Sequence, residues 1–188
     1  PVSLMPVGLT AKLREDEFVD LVRFMVELGK EGKFKTGTQR FARKWDVLPV
    51  NSANPGTIHH YGAKMFTQEF DGYEWQPFYA MVGGGIPFDE IPVALNRRGE
   101  KYQVLRTQVE VVKRGNHKMR LKGNLGELNL FLGNQEVEIP SGGEQADLLI
   151  DFEHPGKQSL VMVVNGAGTK GYFALEVLSE DLRVINTL

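Results

Sequence analysis

The residues best suited to chemistry in this chain are spaced in ways that give most of them little to do. Its histidines are His59, His60, His117 and His154. Adjacent residues on a strand point to opposite faces, so His59 and His60 would not hold one ion together. His117 and His154 fall in predicted turns, and no His-Glu-x-x-His or comparable ligand spacing occurs. Gly83, Gly84 and Gly85, like Gly166 and Gly168, read as turn residues, because a phosphate cradle needs a helix N-terminus after the glycines. Pro87 closely follows the first group, and a predicted strand follows the second. Ser3, Ser52, Ser141, Ser159 and Ser179 lack the Gly-x-Ser-x-Gly elbow that activates a nucleophile. Asp89 with Glu90, and Glu136 with Glu138, are the carboxylates of a solvent-facing turn and strand. Catalytic acids can be paired from distant parts of a chain, so a carbohydrate-active enzyme using two carboxylates stands as an alternative. Arg97, Arg98, Lys113 and Arg114 form small basic patches in predicted turns.

The aromatic residues are more informative. Tyr61, Phe66, Phe70, Tyr73, Trp75, Phe78 and Tyr79 crowd together between residues 61 and 79. One reading is a sheet core built on cross-strand aromatic pairs. The other is a platform at a sheet edge, stacking against a sugar ring or a partner protein. Tyr73 and Trp75 follow the predicted turn at Asp71 and Gly72, so they are expected to be the most exposed. With Tyr79 they are the candidate ligand-binding residues.

Composition narrows the classes. The chain has 188 residues, 41% of them hydrophobic, enough for one substantial domain or a domain with a small appendage. A net charge of -2 gives no global field favouring nucleic acid or anionic lipid. With no cysteine, this chain forms no disulfide, has no thiol nucleophile and lacks the Cys-x-x-Cys-His attachment of c-type haem. No stretch approaches the roughly 20 apolar residues of a membrane-spanning helix. The chain opens at Pro1 without an initiator Met or a signal-like segment, as expected of a processed product or a piece of a longer polypeptide.

The elements that must position these residues are mostly strands. Segments 102–112, 117–122, 127–132, 135–139, 146–152, 159–164 and 172–178 alternate apolar and polar residues between turns rich in Gly, Asn and Pro, the pattern of half-buried strands joined as hairpins. Segments 45–50, 64–70 and 76–82 read as further strands, and 87–95 as a loop or short helical turn. One helix is predicted over 14–29, where Phe18, Leu21, Val22, Met25 and Leu28 make an apolar stripe and Glu15, Asp16 and Glu17 suit the positive end of the helix dipole. The strands suffice for two packed sheets, so the expected fold is mainly β: an antiparallel β-sandwich with one N-terminal α-helix.

Val2 to Leu9, followed by the acidic helix start and Phe18 to Met25, resembles the C-terminal end of the haem-binding, cytochrome c-like domain of large exported bacterial dehydrogenase-like proteins. In that family Ser-Leu-Met-Pro-x-Gly-Leu supplies the axial Met of haem iron, and the matching residue here is Met5. The Cys-x-x-Cys-His segment of the family is missing, so the resemblance implies haem c only in a longer parent polypeptide and no cofactor in this chain alone. Residues 75–87 resemble the β module that follows such domains, and 128–137 resembles a strand–turn–strand of galactose-binding-like and related jelly-roll sandwiches. The resemblance implies a periplasmic or secreted setting, a part in sugar or alcohol oxidation, and a cytochrome or dehydrogenase partner.

The expectation is therefore a cytochrome c-like helical remnant at 1–36 and a β-sandwich domain at 37–188. The sandwich is read as a non-catalytic accessory module of an exported haem-dependent oxidoreductase, binding a glycan or a partner through Tyr73, Trp75 and Tyr79. A purely structural interaction domain is a further alternative.

Overall fold

Residues that alternate in polarity over five to ten positions can bury one face only by stacking on a second such surface. The computed structural model describes residues 14–27, 40–49, 73–81, 83–95, 101–140, 142–165 and 170–186. The chain divides into two compact units, Pro1–Thr38 and Gln39–Leu188.

In the first unit the described element is α1 (Glu15–Glu27). Arg14 opens it, its backbone N–H donating to the Glu17 carboxylate at 2.9 Å. Phe18, Leu21, Val22 and Met25 line one side and are exposed. The predicted helix end at Leu28 and Gly29 lies outside the described residues, as does Met5.

Among its described residues the second unit is all β apart from two short 3₁₀ turns, at Phe88–Glu90 and Leu125–Glu127. In chain order its first strands are β1 (Arg40–Phe41), β2 (Lys44–Val47), β3 (Gln76–Tyr79), β4 (Ile86–Pro87) and β5 (Ala94–Leu95). The longer strands are β6 (Lys101–Val111), β7 (Gly115–Gly123), β8 (Leu128–Leu132), β10 (Gln145–Phe152), β11 (Gly156–Asn165) and β12 (Tyr172–Val177), with β9 (Gln135–Val137) and β13 (Leu182–Val184) short. A five-stranded sheet runs β1-β12-β7-β10, with β4 also on β12. An eight-stranded sheet runs β3-β2-β6-β11-β8-β9, with β13 and β5 also on β6. All these pairings are antiparallel. Among the described residues the protein is mainly β, with an antiparallel two-sheet sandwich in the second unit and one helix in the first.

Its inner faces meet in one core. Trp45 meets Phe173 edge-on at 5.4 Å, and its indole N–H donates to the Ala42 carbonyl at 2.9 Å. Leu105, Val109, Leu160 and Met162 from the larger sheet pack in the same cluster as Met119, Leu121, Leu148 and Leu175 from the smaller. Strand β10 alternates between exposed and buried along its whole length, as period-2 burial requires. Gly84, at φ 79, allows the 83–85 turn to lie against Phe41, where a Cβ would overlap the ring.

Of the successive strands expected to join as hairpins, 127–132 and 135–139 do, whereas 102–112 with 117–122 and 146–152 with 159–164 do not. β8 pairs β9 through Gly133 and Asn134, with Gly133 at φ 54 taking the left-handed turn position. β6 and β7 lie in opposite sheets, as do β10 and β11. The pairing is nested instead: β7 with β10, and outside them β6 with β11. A chain reversal after a half-buried strand can as readily cross the core as pair beside it, since either choice buries the same face.

Candidate functional site

The candidate site lies on the outer face of the eight-stranded sheet, and register builds it. Trp45 and Val47 of β2 point into the core, so Asp46 points out. Leu105 and Thr107 of β6 are buried on the inner side, so Arg106 points out. Asp46 lies opposite Arg106 on one side and Pro77 on the other, while Tyr79 lies opposite Lys44. Continuing across the sheet, Arg106 lies opposite Val161, Val161 opposite Phe131, and Phe131 opposite Glu136. A second apolar layer of Leu48, Val104, Phe131, Val161 and Val163 is buried on this outer side, with Tyr73, Trp75 and Tyr102 packed on it.

Trp75 is held on both counts that matter. The Arg106 guanidinium sits 4.3 Å from the centroid of its ring, and Arg106 Nε donates to Asp46 Oδ2 at 3.1 Å. Tyr73 meets the indole edge-on at 6.4 Å. Trp75 and Tyr73 are thus half-buried, contrary to the expectation that they would be the most exposed of the cluster. The reason is the apolar layer beneath them, which they shield from water. Burial also pushes the Tyr73 phenol above its ordinary pKa. Among the described rings of the cluster Tyr79 is the one left open, 53% exposed on β3, the last described strand on that side of the sheet. Tyr61, Phe66 and Phe70 lie outside the described residues.

Chemically, this face combines an open phenol ring with a fixed ion pair that retains spare donors and acceptors. Sequence patterns do not single out Asp46 and Arg106. Their signal is present only as the one polar residue between Trp45 and Val47, and the one cation between Leu105 and Thr107. What the sequence hides is that the two strands pair.

The remaining chemistry-bearing residues are dispersed. His117 is in β7 and not in a turn; it is buried beside Phe152, its Nε2 2.6 Å from the Lys113 carbonyl, which it meets as a donor. His154 is on the bend between β10 and β11, and His59 and His60 lie outside the described residues. Asp89 and Glu90 are exposed on the 3₁₀ turn. Glu136 accepts a hydrogen bond from Asn129 Nδ2 at 2.8 Å, and Asn129 accepts one from Asn165 at 2.6 Å. Among the described residues no three His, Asp or Glu side chains come together as metal ligands.

On the opposite side of the sandwich, the smaller sheet carries an ion network. Arg120 bonds both Asp147 oxygens, at 2.6 and 2.9 Å, which lowers the Asp147 pKa and raises that of Arg120. Glu176, buried on that face, has Lys122 Nζ 2.9 Å away, close enough for an ion pair but not aligned for a hydrogen bond.

No protein-family model matches the chain, and no curated protein does. Among solved structures it is similar to a β-glucosidase from Kluyveromyces marxianus in complex with glucose, at 8% identity and a TM-score of 0.38, over 77% of this chain and 16% of that one. The selenomethionine-labelled form of that enzyme gives 11% identity and a TM-score of 0.37, over 86% and 16%. The Epithelial Adhesin 6 A domain from Candida glabrata, in complex with Galβ1-3GlcNAc, gives 8% and 0.36, over 79% and 85%. The chain thus spans about 16% of the length of the glucosidase. At these TM-scores the likeness carries neither a ligand nor an activity to this chain.

Proposed function

We propose that the sandwich unit is a non-catalytic carbohydrate-binding module whose site is the β3 edge of the eight-stranded sheet. The observation that carries this reading is the placement of the open Tyr79 ring on the same face as the Arg106–Asp46 pair. A pyranose presents an apolar C–H face and a rim of hydroxyls. The first suits an exposed aromatic ring, and the second suits a charged donor beside a charged acceptor. Both are set on paired strands, which lowers the ordering cost of binding. Trp75 supports the site by fixing Arg106.

A glycan panel titrated by calorimetry tests this. Tyr79→Thr should weaken binding by at least about tenfold, equivalent to ~1.4 kcal/mol, with the fold retained. Unchanged affinity in that variant overturns the site, and no binding across the panel overturns the reading.

We further propose that this module belongs to a longer, exported haem-dependent oxidoreductase, with residues 1–36 closing its cytochrome c-like domain. The match around Met5 and the amphipathic α1 support this. The described residues of this chain do not by themselves make a haem site. There is no cysteine, Met5 lies outside the described residues, and buried His117 is engaged by Lys113. The haem would be held by the parent polypeptide. Intact mass and a Soret spectrum of the natural protein decide it: a larger polypeptide with a haem band is expected, and a mass near 21.1 kDa without one rejects it.

A further inference from the structure

The edge of the smaller sheet offers a second surface, unrelated to the aromatic face. β10 pairs with β7 along its full length and, among the described residues, with no strand on its other side. An unpaired strand of this length presents a row of backbone N–H and C=O groups that can template another strand. Its outward side chains are Gln145, Asp147, Leu149 and Asp151, and Leu149 is the most exposed large hydrophobic residue among those described, at 61%.

Beside this edge runs a groove. One cavity of about 590 Å³ has Asp147 to Asp151 on one wall and Gln135 to Glu138 on the other. A second, of about 600 Å³, continues it between Leu132 to Glu136 and Asp151 to His154. Leu132, Val137, Leu148 and Ile150 give the groove an apolar lining, and Glu136, Glu138, Asp151 and Glu153 its charge. Among the described residues neither cavity is lined by Lys or Arg.

We infer that the β10 edge docks an extended basic segment of a partner protein, added to the five-stranded sheet as a further strand. Backbone pairing supplies the affinity, and alternate side chains supply selectivity. The residue opposite Leu149 is apolar, and those two positions away on either side, facing Asp147 and Asp151, are Lys or Arg. Antiparallel self-pairing of two copies centred on Leu149 is disfavoured, since it sets Asp147 opposite the other copy's Asp151 and like charges directly opposite repel.

The probe is an acetylated peptide, Lys-Thr-Arg-Thr-Val-Thr-Arg, titrated into the ¹⁵N-labelled chain, with a counterpart bearing Glu at every basic position. The expected result is binding of the basic peptide with new exchange protection of outward amides in 145–152, and no binding of the acidic one. Leu149→Lys and Asp151→Lys, both at exposed positions, should each weaken it about fivefold. The amide spectra of the free variants report that the fold is kept. Equal binding of both peptides, binding without protection in 145–152, unchanged affinity in both variants, or dimerisation through β10 would each overturn the proposal.

Discussion

Replacing Trp75 with Ala should damage the fold far more than it damages any ligand contact. Trp75 is mostly buried, packed on the Leu48, Val104, Phe131, Val161 and Val163 layer. About two thirds of the roughly 200 Å² that a Trp side chain can bury, at ~25 cal/mol per Å², is about 3.3 kcal/mol. Losing the Arg106 contact at 4.3 Å adds ~0.5–1 kcal/mol. The total, about 4 kcal/mol, is a large share of the stability of a single domain. Urea unfolding followed by fluorescence measures it cleanly. The chain has two tryptophans, and the variant leaves Trp45, buried against Phe173, as the sole reporter. With a slope of ~2 kcal/mol per M, the midpoint should fall by about 2 M. Tyr79→Thr, at an exposed edge position that keeps a strand-forming residue, should stay within ~1 kcal/mol of the parent. If Trp75→Ala moves the midpoint by less than about 0.3 M, the indole is no structural slab. Loss of glycan binding in that variant alone would then make Trp75, and not Tyr79, the stacking surface.

Two further outcomes follow from other parts of the sandwich. Gly84→Ala puts a side chain at φ 79 and into the Phe41 ring, and should lower stability by about 3 kcal/mol in thermal unfolding; a loss under ~1 kcal/mol would mean that the 83–85 turn moves freely off Phe41. Asp147→Asn should lower stability at neutral pH and remove part of its loss in acid. The Arg120 guanidinium holds the Asp147 pKa below its ordinary 3.8, so the carboxylate's contribution is present in full above that value and is lost as pH falls through the lower folded one. The difference in Tm between parent and variant should therefore be constant above about pH 5 and close below 3.8; a gap that closes near neutral pH would show that Arg120 is not its source.

The strands were legible because their signal is local. Alternation marks β6, β7, β10, β11 and β12 to within about two residues at most ends, and the Gly133–Asn134 turn specifies its own hairpin. The sheet partners were not legible. Residues 113–114 and 153–155 look like hairpin turns, yet each carries the chain from one sheet to the other, because the turn residues fix a reversal and not the strand it lands beside. The same limit governs His117. Its place in β7 depends on pairing with Ile150, thirty-three positions away in sequence, and not on the Lys113–Asn116 reversal before it.

The aromatic cluster shows how this reaches function. An aromatic after a glycine turn looks exposed when only its sequence neighbours are considered, and Trp75 has polar neighbours on both sides, Glu74 and Gln76. Its burial comes instead from Val104 and Arg106, on a strand some thirty residues later. Arg106 in turn is oriented by Asp46, sixty residues before it. Each link is non-local, so composition could identify the rings but not which of them stays open to a ligand. Tyr79 stays open because it faces outward on a four-residue edge strand, opposite Lys44 and beyond the apolar layer that covers itself with Tyr73 and Trp75. A binding surface on a sheet face is thus set by where its covering aromatics stop.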